Sequence, residues 1–364
     1  MSPLALTFSS ESADAASAIK VQPCEHLTPN MELGSEDVLV RYLAFPINPQ
    51  DLMAIAGKYP VKPVYQHPDG SRIAGNDGIA RIERVGSGVD LLQPGDLVLP
   101  RSHGLGTWRE LAILPGKSVI KLPREADPIA GALLKMGFAP GYLLIEDTAV
   151  LKPGDWVVVN AGLGTIPQMA IQFARLRGCH AVAVVRERDA GDLEAAKRLL
   201  HAQGADVVVT GEDLAKHGPA ADAALAAAVQ GKRIVLALDA VFGDSAEHLA
   251  RLLAPNATFV NYGSLGGGEG VLRLTQELLF WKQIKFRNFR LSQQLASRSN
   301  AEVEGLLAWF VDLLRQGRLR TPEVETIAWR GGDEAVGEFE ARVRAALGKA
   351  VRRPLGLKKQ VVVL

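Results

Sequence analysis

The stretch DWVVVNAGLGTIPQMAIQFARLRG, residues 155–178, decides the fold of this chain. WVVV is a continuous apolar run, typical of a strand buried on both faces, and IPQMAIQFARLRG has a helical pattern that ends at Gly178. Gly162 and Gly164 stand in the turn between them, as in the phosphate-binding loop of dinucleotide-binding domains. The stretch therefore predicts a strand, a glycine turn and a helix whose N-terminus faces a nucleotide.

The residues after the loop repeat this alternation of strand and helix. AVAVV, DVVVT, IVLALDAV, ATFVNYG and QIKFRNFRL are typical of strands, and helical patterns lie between them, including an Ala-rich one near 219–229. Apolar strands that alternate with helices predict a parallel sheet covered on both faces. We therefore expect an α/β protein with a doubly wound nucleotide-binding domain at residues 146–296.

The two ends of the chain have a different pattern. Residues 1–145 contain short β-like runs, such as EDVLVRYLAFPI and GIARIERVGSGV, which Gly and Pro interrupt. They predict a compact β-rich domain. Near the C-terminus, an amphipathic helix, AEVEGLLAWFVDLLRQG, precedes the strand-like KKQVVVL. Since that strand needs a sheet to join, we expect residues 297–364 to return to the first domain.

Composition bears on partners, compartment and metal. The net charge of +1 gives no reason to expect nucleic acid or an anionic membrane as partner, and no wholly apolar run reaches the roughly 18 residues of a membrane span. Only two cysteines, Cys24 and Cys179, are present. They favour a reducing compartment and cannot build the zinc sites of dehydrogenases, so we expect no metal. We expect a cytoplasmic protein; the alternative is a mitochondrial one whose presequence has been removed.

The glycine loop and the next strand end indicate which nucleotide binds. Pro167 replaces the third glycine of G-x-G-x-x-G, but proline suits the first turn of a helix, where its missing N–H is unpaired anyway. Arg186-Glu187-Arg188 follow the second strand, with Arg186 24 positions after Gly162, where NAD-binding proteins place an acidic residue. An arginine there can pair with a 2′-phosphate, which favours NADPH over NADH. A plain strand-to-helix turn and solvated surface arginines are the alternatives.

Seven short motifs follow one another along the chain and can be compared with those of known proteins. They are Asn48-Pro49-Gln50-Asp51, Gly57-Lys58-Tyr59, Gly75-Asn76-Asp77-Gly78, GLGTW at 104–108, VVRER at 184–188, FRLSQQ at 289–294 and the terminal KKQVVVL. This series resembles N-P-S-D, G-x-Y, G-N-E-G, G-L-G-T-W, V-V-R-D-R and F-W-L-S-Q-W of the mitochondrial-type trans-2-enoyl-CoA/ACP reductases. That family lies in the zinc-independent branch of the medium-chain dehydrogenase/reductase superfamily. The resemblance covers nearly the whole chain.

The resemblance implies both fold and chemistry. The fold would be a GroES-like β-rich catalytic domain with a Rossmann domain, usually in a homodimer. The reaction would be hydride transfer from NADPH to the β-carbon of an enoyl thioester, on CoA or an acyl carrier protein, with a proton added at the α-carbon. Tyr59 matches the catalytic tyrosine, whose hydroxyl stabilises the enolate or supplies the proton. Since AGKYP is a loop bounded by Gly and Pro, we expect that hydroxyl to be available to a substrate. His103, beside GLGTW, is interpreted as structural.

The resemblance also assigns cofactor contacts residue by residue. In the glycine loop these are Leu163, Gly164, Thr165 and Ile166, and at the second strand end Arg186, Glu187 and Arg188. Beside the nicotinamide and its ribose they are Tyr262, Gly263, Ser264, Leu265, Phe289, Arg290 and Leu291, and near the C-terminus Lys359.

The sequence departs from the family at three places. The glycine loop lacks glycines that the family's loop contains, with Thr165 and Pro167 among its residues. Gly137 and Pro140, within KMGFAPGY, replace an Asn and a Thr of the family's G-V-N-P-x-T-A-Y, and Arg290 and Gln294 replace tryptophans. These changes keep three readings open: an enoyl reductase with an altered substrate, a quinone or enone reductase of the same superfamily, and a ligand-binding member without redox turnover.

Overall fold

The computed structural model describes residues 2–215, 229, 231–352 and 358–364. Most of the predicted Ala-rich helix near 219–229 therefore lies outside the described residues. The chain divides into two compact units: residues up to 135 together with 298–364 form the first unit, and residues 136–297 form the second unit. The C-terminal segment and the N-terminal region thus belong to the same unit, as expected for residues 297–364.

The described residues form strands that we number in chain order. They are β1 (Leu4–Phe8), β2 (Lys20–Pro23), β3 (Asp37–Pro46), β4 (Arg72–Ile73), β5 (Ile79–Val85), β6 (Leu97–Pro100), β7 (Leu111–Pro115), β8 (Val119–Leu122), β9 (Trp156–Val159), β10 (His180–Val185), β11 (Val207–Thr210), β12 (Ile234–Asp239), β13 (Thr258–Asn261), β14 (Lys285–Asn288), β15 (Val324–Ala328) and β16 (Lys359–Val363).

The α-helices are numbered in the same way. They are α1 (Ala15–Ala18), α2 (Pro49–Ile55), α3 (Pro128–Leu133), α4 (Ala139–Glu146), α5 (Thr165–Leu176), α6 (Ala190–Gln203), α7 (Gly211–Ala215), α8 (Asp244–Arg251), α9 (Leu291–Ala296), α10 (Asn300–Arg315) and α11 (Val336–Arg352). Turns of π-helix occupy Leu134–Phe138 and Glu277–Trp281, and 3₁₀ turns occupy Gly116–Ser118 and Gly331–Asp333.

The first unit is built on two sheets. One has the order β2-β1-β4; the other has the order β15-β16-β3-β5-β6-β8, with β7 also paired to β3. The C-terminal strand β16 lies inside the larger sheet, parallel to β15 and antiparallel to β3. Val361 and Val362 on this strand are fully buried. In the core nearby, Trp108 stacks on Phe45 with ring centroids 5.4 Å apart.

The second unit contains the predicted parallel sheet. Its strand order is β11-β10-β9-β12-β13-β14, and every neighbouring pair is parallel. Numbered within the unit, this is the doubly wound order 3-2-1-4-5-6, in which ligands bind beyond the carboxyl ends of the strands where the order reverses. That point lies at β9, whose residues Val157, Val158 and Val159 are fully buried. The predicted strand QIKFRNFRL is shorter than expected, because β14 ends at Asn288 and α9 begins at Leu291.

The second unit begins at residue 136, ten residues before the boundary expected at 145/146. The reason is α4, which packs on α5. A Cβ on Gly141 would lie 2.6 Å from the Met169 Cβ, and the Tyr142 ring meets Phe173 edge-on with centroids 5.3 Å apart. The helical stretch Pro128–Glu146 is long and apolar enough to cross a membrane by length and composition alone, but 78% of its apolar window is buried inside the protein.

Candidate active site

Tyr59 lies in the turn that follows α2. Asn48 caps this helix, with Pro49 in its first turn and the Asp51 side chain accepting from the Asn48 N–H. Beyond the last turn, the Tyr59 N–H donates to the Met53 carbonyl over 3.1 Å. The Tyr59 hydroxyl lies 2.7 Å from His103 Nδ1 and shares a hydrogen bond with it. The interpretation of His103 as merely structural overlooked this contact.

One buried carboxylate connects the segments that carry Tyr59 and His103. Asp51 is 1% exposed. Its Oδ2 accepts from the Asn48 N–H over 2.9 Å, and its Oδ1 accepts from Asn76 N and Nδ2 over 3.0 and 2.8 Å. Asn76 Oδ1 accepts in turn from the Gly104 N–H over 2.8 Å. Asp51 therefore fixes α2 against the loop that begins at His103, and with it the distance between the two side chains.

Burial shifts the pKa values of two groups in this network. Burial raises the pKa of Asp51 to about 6, although hydrogen bonds from Asn48 and Asn76 oppose the rise. Lys359 donates from Nζ to the Ile47 carbonyl over 2.8 Å and to Asn48 Oδ1. Burial lowers the pKa of Lys359 to about 8. Lys359, the predicted cofactor contact, is half-buried and belongs to the hydrogen-bond network at the start of α2.

A buried ion pair lies beside the same network. Asp77 and Lys135 are at most 1% exposed, and Lys135 Nζ lies 3.4 Å from Asp77 Oδ1. Lys135 also donates to the Pro100 carbonyl over 2.7 Å. Burial raises the pKa of Asp77 and lowers that of Lys135, while their mutual attraction opposes both shifts. Burial, reinforced by the positive charge of Lys135, lowers the pKa of His103 to about 4. His103 is therefore neutral at neutral pH.

In the second unit, the glycine loop forms the predicted turn into a helix. The Gly162 N–H donates to the Val184 carbonyl over 2.9 Å, and a Cβ on Gly162 would lie 3.2 Å from that oxygen. Gly164 is the N-cap of α5, so Thr165, Ile166 and Pro167 fill its first three positions. The first N–H groups of a helix have no intrahelical acceptor, so Pro167 removes a donor the helix itself does not need. Leu163 precedes the cap, and its carbonyl accepts from Gln168 Nε2.

The arginine segment follows β10 directly. Arg186 is exposed, and its carbonyl accepts from Arg188 Nε over 3.2 Å. The Glu187 Oε1 accepts from the Glu212 N–H over 2.6 Å, so one carboxylate oxygen of this predicted contact already has a partner within the protein. Partial burial and the neighbouring charge of Arg186 lower the pKa of Arg188. The exposed end of β10 thus presents positive charge, as NADPH binding requires.

A second buried carboxylate, missed by the sequence analysis, organises the carboxyl edge of the parallel sheet. Asp239 ends β12 and is fully buried. Its Oδ1 accepts from Asn160 Nδ2 over 2.6 Å and from the N–H groups of Val241 and Phe242 over 3.1 and 3.0 Å. Its Oδ2 accepts from Asn261 Nδ2 over 2.7 Å. Asp239 therefore holds the ends of β9, β12 and β13 together at the edge where doubly wound sheets bind ligands.

The remaining predicted cofactor residues gather at this same edge. The Tyr262 N–H donates to the Asp239 carbonyl over 2.9 Å, and the Leu265 N–H donates to the Ala240 carbonyl over 2.8 Å. Gly263 fits because a Cβ there would lie 3.0 Å from the Ala240 oxygen. Ser264 and Arg290 are exposed, Phe289 is buried and bonded through its N–H to the Asn261 carbonyl, and Leu291 begins α9.

Metal-binding side chains do not converge in the described ranges, where no three His, Cys, Asp or Glu residues form a group suited to a metal ion.

Two family models match the chain. "Alcohol dehydrogenase GroES-like domain" matches residues 34–124, and "Zinc-binding dehydrogenase" matches residues 165–312. The mouse protein "Enoyl-[acyl-carrier-protein] reductase, mitochondrial" is 34% identical over 317 residues, which cover 84% of this chain and 79% of the mouse protein. The human protein of the same name is 34% identical over 296 residues, which cover 80% of this chain and 76% of the human protein. The chain belongs to the mitochondrial-type enoyl-[acyl-carrier-protein] reductase family.

Solved structures confirm the fold of this enoyl reductase family member. The mitochondrial 2-enoyl thioester reductase Etr1p/Etr2p heterodimer from Candida tropicalis aligns over the whole of both chains with a TM-score of 0.85 at 23% identity. A putative NADPH:quinone reductase from Bacillus thuringiensis aligns over 100% of this chain and 99% of its own, with a TM-score of 0.78 at 22% identity. The predicted GroES-like and Rossmann architecture is thereby confirmed, and both reductase types share it.

Proposed function

We propose that this protein reduces the C2=C3 double bond of enoyl thioesters with NADPH. The observation that carries the proposal is Tyr59, whose G-x-Y motif resembles that of the family's catalytic tyrosine and whose hydroxyl lies 2.7 Å from His103 Nδ1. Relatives bear the name enoyl-[acyl-carrier-protein] reductase, and Etr1p has been solved with NADP and crotonyl-CoA. A CoA or carrier-protein thioester is therefore the substrate class we propose for this chain.

The residues of the second unit fit NADPH. The N-terminus of α5 offers the N–H groups of Thr165 and Ile166 and a partial positive charge to the phosphates. Arg186 offers a guanidinium to the 2′-phosphate, and the nearby acid Glu187 is already engaged with a backbone N–H. The edge organised by Asp239 is where the nicotinamide end would lie. When bound, NADPH supplies the hydride.

Tyr59 supplies the electrophilic assistance that the reaction needs. As the β-carbon gains a hydride, negative charge builds on the thioester oxygen. A phenol hydrogen bond stabilises that charge, and the same proton can be delivered to the α-carbon. No lysine or metal is needed for this step, because the enolate is already stabilised by conjugation and by the positioned donor. The hydrogen bonds of Asp51 and Asn76 fix the segment that carries the Tyr59 hydroxyl.

The decisive experiment compares Tyr59→Phe with the native protein. NADPH oxidation is followed with crotonyl-CoA, with a simple enone and without substrate. The native protein should reduce crotonyl-CoA, and Tyr59→Phe should lower turnover by about 10²-fold, the usual scale for losing a positioned donor. Tyr65→Phe, which removes a phenol hydroxyl from the same unit beside Arg109, is the matched control and should keep the native rate.

The two alternative functions predict different results. A quinone or enone reductase would reduce the simple enone but not crotonyl-CoA. A ligand-binding member would bind NADPH without oxidising it in any of the three reactions. A Tyr59→Phe variant with native turnover would remove Tyr59 from the chemistry.

Assembly as a homodimer is part of the proposal. Strand β14 is an edge of the parallel sheet and its ends are exposed. Exposed apolar side chains, Phe280 at 63% and Trp281 at 68%, precede it closely in sequence. An unpaired strand edge with adjacent apolar surface is suited to pairing with a second copy. Sedimentation equilibrium should give twice the chain mass, and replacing the exposed side chains of Phe280 and Trp281 by serine should reduce it.

The relatives' names also bear on the compartment. They are named mitochondrial, which supports the mitochondrial alternative, while the cytoplasmic prediction stays untested. We therefore propose a mitochondrial protein. Fractionation of cells of the source organism, followed by immunodetection of this chain, tests the proposal directly.

A further inference from the structure

Phe242 has a backbone conformation that aromatic residues rarely adopt. It lies just beyond the end of β12, with a φ of 71°, in the left-handed region that favours glycine. The next residue, Gly243, has a φ of 64° and is the N-cap of α8. Strain of this kind persists only where surrounding contacts hold it, and it is concentrated at functional sites. A glycine would fit the backbone of residue 242 without strain, so what Phe242 adds is its ring.

The contacts of Phe242 show where that ring is placed. The buried Asp239 fixes the backbone, because its Oδ1 accepts from the Phe242 N–H over 3.0 Å. Phe242 is half-buried, and its ring lies against Gly270. A Cβ on Gly270 would lie 3.0 Å from Phe242 Cδ1 and 3.2 Å from the Gly243 nitrogen, so the backbone of Gly270 packs closely on the strained turn.

Gly270 ends a segment, residues 263–270, that begins with the predicted contacts to the nicotinamide. The Leu265 N–H donates to the Ala240 carbonyl over 2.8 Å, and the Gly266 N–H donates to the Val241 carbonyl over 3.0 Å. Five of the eight residues of the 263–270 segment are glycine, and residues 264–270 are exposed. Since glycine loses the most conformational freedom when it is ordered, a single conformation of this segment requires contacts that hold it. Backbone hydrogen bonds hold its first half, and the Phe242 ring packs on its last residue.

We propose that Phe242 is a positioning residue for NADPH: its ring holds the 263–270 segment in the conformation that presents Gly263, Ser264 and Leu265 to the nicotinamide end. This inference rests on the proposed function. If only a fraction of the molecules had the segment in this conformation, the apparent Kd for NADPH would rise by the inverse of that fraction. The strain at Phe242 is thus offset by a cofactor site that is ordered before the cofactor binds.

Two truncations separate the effect of the ring from that of the strain. Phe242→Ala removes the ring and keeps a Cβ on the strained backbone, whereas Phe242→Gly removes both. We expect the Kd for NADPH, measured by calorimetry, to rise about 10-fold in both variants, as for a segment that is correctly placed in about one molecule in ten. Phe242→Gly should nevertheless unfold at a Tm about 2–8 °C above that of Phe242→Ala. Affinity then depends on the ring, and stability depends on the Cβ.

Hydrogen exchange measures the order of the segment directly, without cofactor. Amides of residues 263–270 should exchange faster in both truncated variants, while those of β12 keep their native rates. With crotonyl-CoA as substrate, the KM for NADPH should rise about 10-fold and that for crotonyl-CoA should change less than about 3-fold, a split that general damage to the fold would not produce.

Two further variants serve as controls. Phe242→Leu keeps an apolar side chain that can pack on Gly270, so its Kd for NADPH should stay within about 3-fold of the native value. Asn256→Gly relieves strain of the same kind elsewhere, because Asn256 has a φ of 64° in the turn between α8 and β13. It should leave both the Kd and the exchange of residues 263–270 unchanged.

The outcomes distinguish this inference from the proposed function. A native Kd in both truncated variants would overturn the inference, and so would native exchange rates across residues 263–270. A Kd that rises in Phe242→Ala but not in Phe242→Gly would also overturn it, because the strained Cβ and not the missing ring would then be responsible. In each of these cases, reduction of crotonyl-CoA by the native protein would still support the enoyl reductase. No thioester turnover by the native protein would refute the proposed function itself.

Discussion

Asp239→Asn is the substitution whose effect on the second unit can be worked out most fully. The carboxylate accepts four hydrogen bonds and donates none: Asn160 and two backbone N–H groups reach Oδ1, and Asn261 reaches Oδ2. The asparagine has the same shape but replaces one acceptor oxygen by an NH₂ group. In either orientation that group faces a donor within 3.1 Å.

The structure also limits how the site can adapt. If the new NH₂ faces Asn261, the Asn261 amide would have to turn over, and it would lose its bonds to the Gly263 and Asp239 carbonyls at 2.8 and 3.3 Å. A hydrogen bond to a charged group contributes about 1.5–3 kcal/mol, and a buried donor left unsatisfied costs about 1–3 kcal/mol. We therefore expect the free energy of unfolding to fall by about 3–5 kcal/mol.

Differential scanning calorimetry of the native and variant proteins measures this effect. For a unit of this size about 1 kcal/mol lowers Tm by roughly 2–4 °C, so the second unit should melt on the order of 10 °C earlier. Glu194→Gln is the matched control: it makes the same change from acid to amide, in an exposed pair with Lys197 on α6. Glu194→Gln should change the free energy of unfolding by less than about 0.5 kcal/mol. A loss below about 1 kcal/mol in Asp239→Asn would refute the argument.

Three further predictions concern cofactor choice, the loop and pH. NADPH should bind at least about 10-fold more tightly than NADH, since a charge-assisted pair contributes about 1.5–3 kcal/mol, and Arg186→Ala should erase most of the difference; equal affinities in native calorimetry would contradict this. Pro167→Gly should keep NADPH affinity within about 10-fold and mildly lower stability, whereas a much larger gain would show a damaged native loop. Because burial and the charge of Lys135 lower the pKa of His103 to about 4, its stabilising contribution is present above about pH 6.5 and lost towards pH 4. Urea titrations should therefore show that His103→Gln loses less free energy of unfolding between pH 6.5 and pH 4 than the native protein does. If the two proteins lost the same free energy over that interval, the prediction would be wrong.

The second unit could be predicted in most of its parts because its signals are local. A parallel strand covered on both faces is apolar without interruption, as Val157 to Val159 are, and glycine is required where the loop backbone meets β10. The boundary could not be predicted in the same way. An apolar helix such as α4 suits the core of either unit, and only the close approach of Gly141 to Met169 decides which one.

The candidate site was predictable in its motifs but not in its contacts. The prediction that the Tyr59 hydroxyl is available to a substrate missed His103, because the two residues are 44 positions apart and the hydrogen bonds of Asp51 and Asn76 that bring their segments together cannot be read from the sequence. Asp239 was missed for a related reason. An Asn or Asp at a strand end is ambiguous until the strand order brings the ends of β9, β12 and β13 side by side.

The position of β16 has a consequence for synthesis on the ribosome. This strand completes the larger sheet of the first unit, where Val362 pairs with Phe45 across more than 300 residues of chain. The second unit is continuous in sequence, from 136 to 297, so it can fold as soon as it emerges. Strand β3 can pair with β5 and β7 early, but its pairing with β16 must wait until translation has passed residue 363, and the Ala44–Pro46 end of β3 lacks that partner in the meantime. The segment that carries Tyr59 is thus among the first parts of the chain to be made, while the sheet around it is closed among the last.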